Sequence, residues 1–183
     1  MSKIYVDEIA PKTVGNKVLL PQGGIIQLQY TQLTSTFTTP VTAATNTSID
    51  EFSVNITPTS TSSIIKLDAS WFGEFGIDDD NTWNHIFFCY RDSTFLGSPS
   101  GGDRYAGVNT ATRSFSGTDA ASTPESAYLT YFDSPATTSQ ITYKLGIVLK
   151  LSDTLYTNRT VTDTDTADFE RGVSFISATE IAG

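Results

Sequence analysis

The chain has 183 residues, with 11 Lys plus Arg against 20 Asp plus Glu, one His, one Cys and one Met. A net charge of −9 argues against nucleic acid or an anionic membrane as partner, because both need a basic face. One Cys excludes an internal disulfide framework and a Cys-based zinc site, and one His leaves little room for His-dependent catalysis or a His metal cluster.

The length suits one compact domain with a small appendage, and it is enough to bury a core without disulfides or metals. Charged residues make up only 17%. Ser and Thr take their place, with Thr the commonest residue. The composition reads as acidic, β-rich and non-enzymatic, with no cofactor.

In chain order, the first 23 residues stand apart. The opening Met1 to Glu8 has no apolar h-region, which predicts synthesis in the cytosol without a secretory signal. Ile4 and Val6 alternate with Tyr5 and Asp7, Val14-Gly15-Asn16 reads as a tight turn, and Val18 to Leu20 as a second short strand. Two strands this short are marginal alone. The apolar residues Ile4, Val6, Ile9, Val18 and Leu20 therefore predict an arm ordered by pairing with other chains. Pro21-Gln22-Gly23-Gly24 reads as a hinge.

From residue 24 onward the period is two. Phe52, Val54 and Ile56 alternate with polar neighbours, as do Ile65, Leu67, Ala69 and Trp71. Ala127, Leu129 and Tyr131 face one way, with Tyr128, Thr130 and Phe132 facing the other. Tyr143, Leu145, Ile147 and Leu149 repeat the pattern. Such alternation marks strands with one buried face. No window sustains a 3.6 period, so no long helix is expected. Clusters such as Thr57 to Ser63, Gly97 to Asp103 and Asp133 to Ser139 supply the turns. About eight strands at intervals of roughly 10 to 20 residues predict an antiparallel β-sandwich, with a jelly roll the first choice. The expected organisation is an arm, residues 1–23, and a globular head, residues 24–183. Apolar runs fall well short of the roughly 18 residues of a membrane helix, so membrane insertion is not expected.

Candidate chemistry is sparse. Asp78-Asp79-Asp80 lacks the ligand spacing and terminal Glu of a calcium loop, and reads as a solvated loop tip. Asp163, Asp165 and Asp168 alternate but lack the turn Gly and the bidentate Glu. His85 and Cys89 read as buried structural residues inside one strand. Glu74, Asp92 and Glu125 are candidates for a glycosidase carboxylate pair, with nothing local to recommend them. The aromatics Trp71, Phe72, Phe75, Trp83, Phe87, Phe88 and Tyr90 read as core, with Phe72 or Phe75 the ones that would meet another subunit. The sequons at Asn46, Asn55 and Asn158 read as chance matches in a Thr-rich chain.

Ser2 to Pro11, followed by Gly15, Val18, Pro21 and Gly23-Gly24, resembles the N-terminal segment of small tail-fibre-like virion structural proteins of marine tailed bacteriophages, of cyanophage and pelagiphage type. Ile56 to Ile65, Arg91-Asp92-Ser93-Thr94, Asp133 to Ser139 with Thr142-Tyr143-Lys144, Asn158-Arg159-Thr160 and the ending Glu180 to Gly183 fit the same group in register. The stretch from Phe72 to Trp83, with its three Asp, departs from it. The resemblance implies a homotrimer with an interwoven N-terminal arm, located in the virion and made in the host cytoplasm. It implies no catalytic residues. On this reading the arm meets a neighbouring tail or capsid protein. Outward loops at 78–82, 97–126 and 162–170, with Asp78, Asp79, Asp80, Asn81, Asp103 and Arg104 as candidate contacts, meet a host surface glycan or protein. The alternatives are a capsid decoration or head-fibre protein, and a glycan depolymerase.

Overall fold

The computed structural model describes residues 22–76, 84–99, 102–112 and 122–183. Ile4, Val6, Ile9, Val18 and Leu20 of the arm, and Asp78, Asp79, Asp80 and Asn81, lie outside the described residues.

The described residues form ten antiparallel strands and no helix. They are β1 (Ile25–Leu33), β2 (Phe37–Val41), β3 (Thr47–Ile56), β4 (Ile64–Phe75), β5 (His85–Arg91), β6 (Thr94–Leu96), β7 (Glu125–Asp133), β8 (Ile141–Leu149), β9 (Asp153–Thr157) and β10 (Ser174–Ile181). The sequence pattern predicts about eight. The surplus comes from short pieces whose pattern is too brief to read. One is β2, which carries Pro40 and ends its sheet, where a missing N–H leaves no ladder bond unmade.

One sheet runs β1-β10-β4-β9-β2, with β7 also paired to β4, and the other runs β3-β8-β5-β6. Alternation places Ile65, Leu67, Ala69 and Trp71 of β4 inward, together with Ala127 and Leu129 of β7. From the second sheet come Phe52, Val54, Ile56, Phe87, Tyr143, Leu145, Ile147 and Leu149. These residues make one apolar core shared by both sheets, an arrangement consistent with a β-sandwich. Of the rings read as core, Trp71, Phe75, Phe87 and Phe88 are buried, Phe72 and Tyr90 are half-buried, and Trp83 lies outside the described residues.

Strand β4 organises the larger sheet. Along Ile65 to Gly73 one edge is occupied by β7. A strand has only two edges, so β10 (against Ile64 to Ser70) and β9 (against Gly73 to Phe75) share the other in succession. Gly73 sits at the handover. A Cβ there would lie 2.0 Å from the Tyr156 carbonyl oxygen and 2.5 Å from the Trp71 ring.

Between β10 and β9 a polar knot replaces the ladder. Buried Asn158 takes a left-handed backbone, φ 61°, which asparagine tolerates better than most residues. Its N–H donates to the Phe72 carbonyl at 2.8 Å. Its Nδ2 donates to the carbonyls of Leu33 (2.7 Å) and Ser35 (2.9 Å), just past β1. Its Oδ1 accepts from Ser174 Oγ at 2.7 Å, and that hydroxyl accepts from the Phe72 N–H at 3.0 Å. One side chain thus holds the ends of three strands. Its burial also fits the sequon at 158 being a chance match.

Three buried carboxylates fasten other parts of the fold. Glu180 Oε1 accepts from Ser63 Oγ (2.6 Å), Thr59 N–H (2.7 Å) and Thr59 Oγ1 (2.8 Å), and its Oε2 from Gln27 Nε2 (2.6 Å). This closes the 57–63 turn onto β1 and β10. Asp133 at the end of β7 accepts both bonds of Arg91 Nη1 (2.9 and 3.0 Å) and the Tyr143 hydroxyl (2.7 Å), which ties one sheet to the other. Burial, and then the Asp133 bond, push the Tyr143 phenol far above its ordinary value. Glu74 accepts from the N–H and hydroxyl of Thr123 (2.8 and 2.7 Å) and from the Val161 N–H.

Two predictions follow from these anchors. Asn158→Ala should lower stability by about 2–4 kcal/mol, because it takes the partner from the buried Ser174 hydroxyl and the part-buried Leu33 and Ser35 carbonyls and strains a left-handed residue. Asn158→Gly should recover only the backbone part, about 1 kcal/mol. Urea unfolding reads both, and a cost for Asn158→Ala below about 0.5 kcal/mol would remove the knot from the account. For Glu180, burial raises the carboxyl but the bonds from Ser63, Gln27 and Thr59 outweigh it, leaving it below the ordinary 4.5. A depressed folded value means stability that is present above the unfolded value and lost as pH falls through the folded one. Glu180→Gln should therefore be less stable at pH 7. Its deficit against the unaltered chain should shrink as pH drops below about 4.5. A deficit independent of pH would contradict the ionised anchor.

Candidate functional site

The outward side of the β3-β8-β5-β6 sheet is not flat. Gly146 on β8 leaves room for the Phe88 ring, since a Cβ there would sit 2.4 Å from it. Phe88 in turn packs on Phe95 (4.8 Å between centroids) and edge-on to Tyr90 (5.1 Å). The segment after β6 folds back along β5. Phe87 N–H donates to the Asn109 carbonyl and Val108 N–H to the Phe87 carbonyl, at 2.8 and 2.7 Å.

This fold-back leaves an open cleft of about 550 Å³ above the sheet. Phe95, Val148, Pro99 and Tyr105 give it apolar walls, and Asn46 and Arg104 give it polar ones. Asn46 also lines a second depression of about 320 Å³, with Tyr90, Asp92, Ser93 and Lys144. The two adjoin at Asn46 as a shallow groove with mixed aromatic and polar walls. Lys144 Nζ is held by Asp50 Oδ1 at 2.8 Å. Asp92, at φ 53°, accepts from the Thr142 N–H at 3.0 Å and so fixes the β5–β6 turn at the groove's end. Burial raises the Tyr90 phenol above its ordinary value, so the ring presents a neutral hydroxyl at physiological pH. Aromatic walls with amide, guanidinium, ammonium and carboxylate groups suit a neutral polyhydroxylated ligand, which needs ring faces and many hydrogen-bond partners.

Of the candidate contacts, Asp103 and Arg104 are described and both are exposed. Arg104 lines the cleft, whereas Asp103 lies on the neighbouring turn. The segments 97–126 and 162–170 do meet: Ser122 Oγ donates to the Asp168 carbonyl at 2.6 Å, beside the Thr123–Glu74 bonds. In the second segment Arg171 grips Asp163 with bonds of 2.6 and 2.7 Å, and Arg159 lies 3.6 Å from it. That carboxylate is engaged by arginine on both oxygens. Among the described residues, no cluster of three His, Cys, Asp or Glu is placed to hold a metal.

The remaining candidates have structural positions. Buried His85 accepts the Ala111 N–H at Nε2 (2.9 Å) and stacks near Phe75. Cys89 is buried, and burial pushes its thiol up to about 12. Glu74 is sealed in the bonds given above, and Glu125 is buried near the Phe75 N–H. Sequence reasoning missed Asn46, Tyr90, Tyr105 and Lys144 as groove residues. Only Tyr105 carried a signal, as one of two aromatics, with Phe115, in the long polar stretch 97–126. The others become neighbours through strand pairing.

No protein-family model matches this chain. No curated protein matches it either.

Proposed function

We propose that this chain is a non-enzymatic virion structural protein of a tailed phage, the head of a tail fibre, whose groove adsorbs to a host-surface glycan. The groove lined by Asn46, Tyr90, Phe95, Arg104, Tyr105 and Lys144 is the observation that carries it. Residues 1–23 would form the anchoring arm of a homotrimer and meet a neighbouring virion protein, as the sequence resemblance implies.

The strand order supports a jelly roll. With the β2–β9 pair set aside, the remaining eight strands, renumbered 1 to 8 in chain order, run 1-8-3-6 in one sheet and 2-7-4-5 in the other. Strand 1 pairs with 8, 2 with 7, 3 with 6 and 4 with 5. This is one long antiparallel ribbon rolled onto itself, the pattern of a double Greek key. Such a head places loops at both ends and a free sheet face outward. That architecture suits a particle that must survive outside the cell without disulfides.

Gold-labelled antibody and electron microscopy of the virion should place the chain at the tail in a few copies, in multiples of three. Hundreds of copies on the shell would make it a capsid decoration protein instead. Arg104→Ala with Tyr105→Ala should weaken binding to purified host-surface polysaccharide at least tenfold, and the polysaccharide should emerge unshortened. Shortened chains would establish a depolymerase, and unchanged binding would remove the groove from the reading.

A further inference from the structure

The outer face of β1-β10-β4-β7 is unlike the rest of the surface. Register places its residues in three rows: Leu28–Thr179–Lys66–Phe132, Tyr30–Ser177–Asp68–Thr130 and Gln32–Phe175–Ser70–Tyr128. Tyr30 is 68% exposed, Phe132 58%, Tyr128 56% and Leu28 55%. Large apolar side chains bury strongly when they find a partner, so four of them on one sheet face mark an interaction surface. They form two strips, Leu28 and Tyr30 on β1, and Tyr128 and Phe132 on β7. The strips lie about 14 Å apart, at about 4.8 Å per strand. The β10 and β4 residues between them are mostly polar.

Charge indicates the occupant. The chain carries −9 overall, so two copies repel over most approaches. On this face the charged side chains are Lys66 and Asp68, which are paired at 2.8 Å and sum to zero. Asp68 is also bonded by Thr130 Oγ1 (2.7 Å) and the Tyr128 hydroxyl (3.1 Å). Burial raises its carboxyl, but these bonds and Lys66 outweigh it and hold the carboxyl below its ordinary range. The pair therefore stays ionised and balanced at neutral pH. Two acidic copies can meet here without like-charge repulsion. The footprint of four strands by about eight residues is roughly 500 Å². In a head-to-tail contact each partner gives about half of its face, so one contact buries about 500 Å², a size that supplements another contact such as the arm rather than standing alone. The two unlike strips suit a head-to-tail contact, the β1 strip of one copy on the β7 strip of the next, which closes into a ring around the polar band.

We infer that this face docks a second copy of the chain, so that the head itself contributes an assembly contact in addition to the arm. The inference stands apart from the virion reading and from the groove. It is tested on the full chain with a maleimide probe at Phe132→Cys, compared with the exposed loop control Thr138→Cys. Cys89 stays silent because it is buried. Labelling at 132 should be at least tenfold slower than at 138. Tyr30→Glu with Phe132→Glu should lower the assembled mass or raise the dissociation concentration at least tenfold, with unchanged circular dichroism. Equal labelling rates would overturn the inference. So would slow labelling in a chain with the mass of one copy, since residues 1–21 would then be covering the face. An unaltered mass in the Glu pair would leave assembly to the arm alone and overturn it too. Rapid labelling that host-surface polysaccharide then blocks would make the face a glycan platform instead.

Discussion

The fold depends on how one edge of β4 is shared. Two strands distant in sequence, β10 at 174–181 and β9 at 153–157, must follow each other along that edge. A gap in a ladder leaves backbone groups without partners, and a buried group left so costs about 1–3 kcal/mol. Asn158 fills the gap because it offers two donors and an acceptor on a short side chain and accepts a left-handed backbone. Gly73 completes the handover by letting the β9 backbone close in. The loops after β9 inherit their position from this point, through Thr157 on Trp71 and Gly172 on Asn158.

The high Ser and Thr content finds its explanation in the same logic. A sandwich with short turns needs donors for buried carboxylates, and hydroxyls supply them at low conformational cost. Glu180 is satisfied by Ser63, Thr59 and Gln27, and Glu74 by Thr123. The acidic residues that looked like candidates for chemistry are in good part the fastenings of turns. Stability and low charge thus come from one composition.

Much of the head was legible because its signal is local. Alternation along 65–71 and 143–149 picks out Ile65, Leu67, Ala69, Trp71, Tyr143, Leu145, Ile147 and Leu149 as one face, and all eight are buried. The register of β4 with both β10 and β7 was not legible, because pairing partners lie some 60 to 110 residues apart and no local pattern encodes them. The same holds for the groove: Asn46 and Lys144 are distant in sequence and meet only because β3 pairs with β8. Period alone groups Tyr128 and Phe132 on one face of their strand, and their exposure in the structure makes that face the outward one. What period cannot supply is that Leu28 and Tyr30 share that face from three strands away.

The molecule then divides its two outward surfaces. One sheet face is apolar in strips and electrically balanced; the other is grooved, aromatic and rich in hydrogen-bonding groups. On our account the first joins copies and the second meets a ligand, so a particle presents several grooves from one assembled head. The most direct measurement is the mass of the unaltered full chain in solution by multi-angle light scattering at micromolar concentration. The account predicts about three times the 19.8 kDa of one chain, and a single 19.8 kDa species would contradict it.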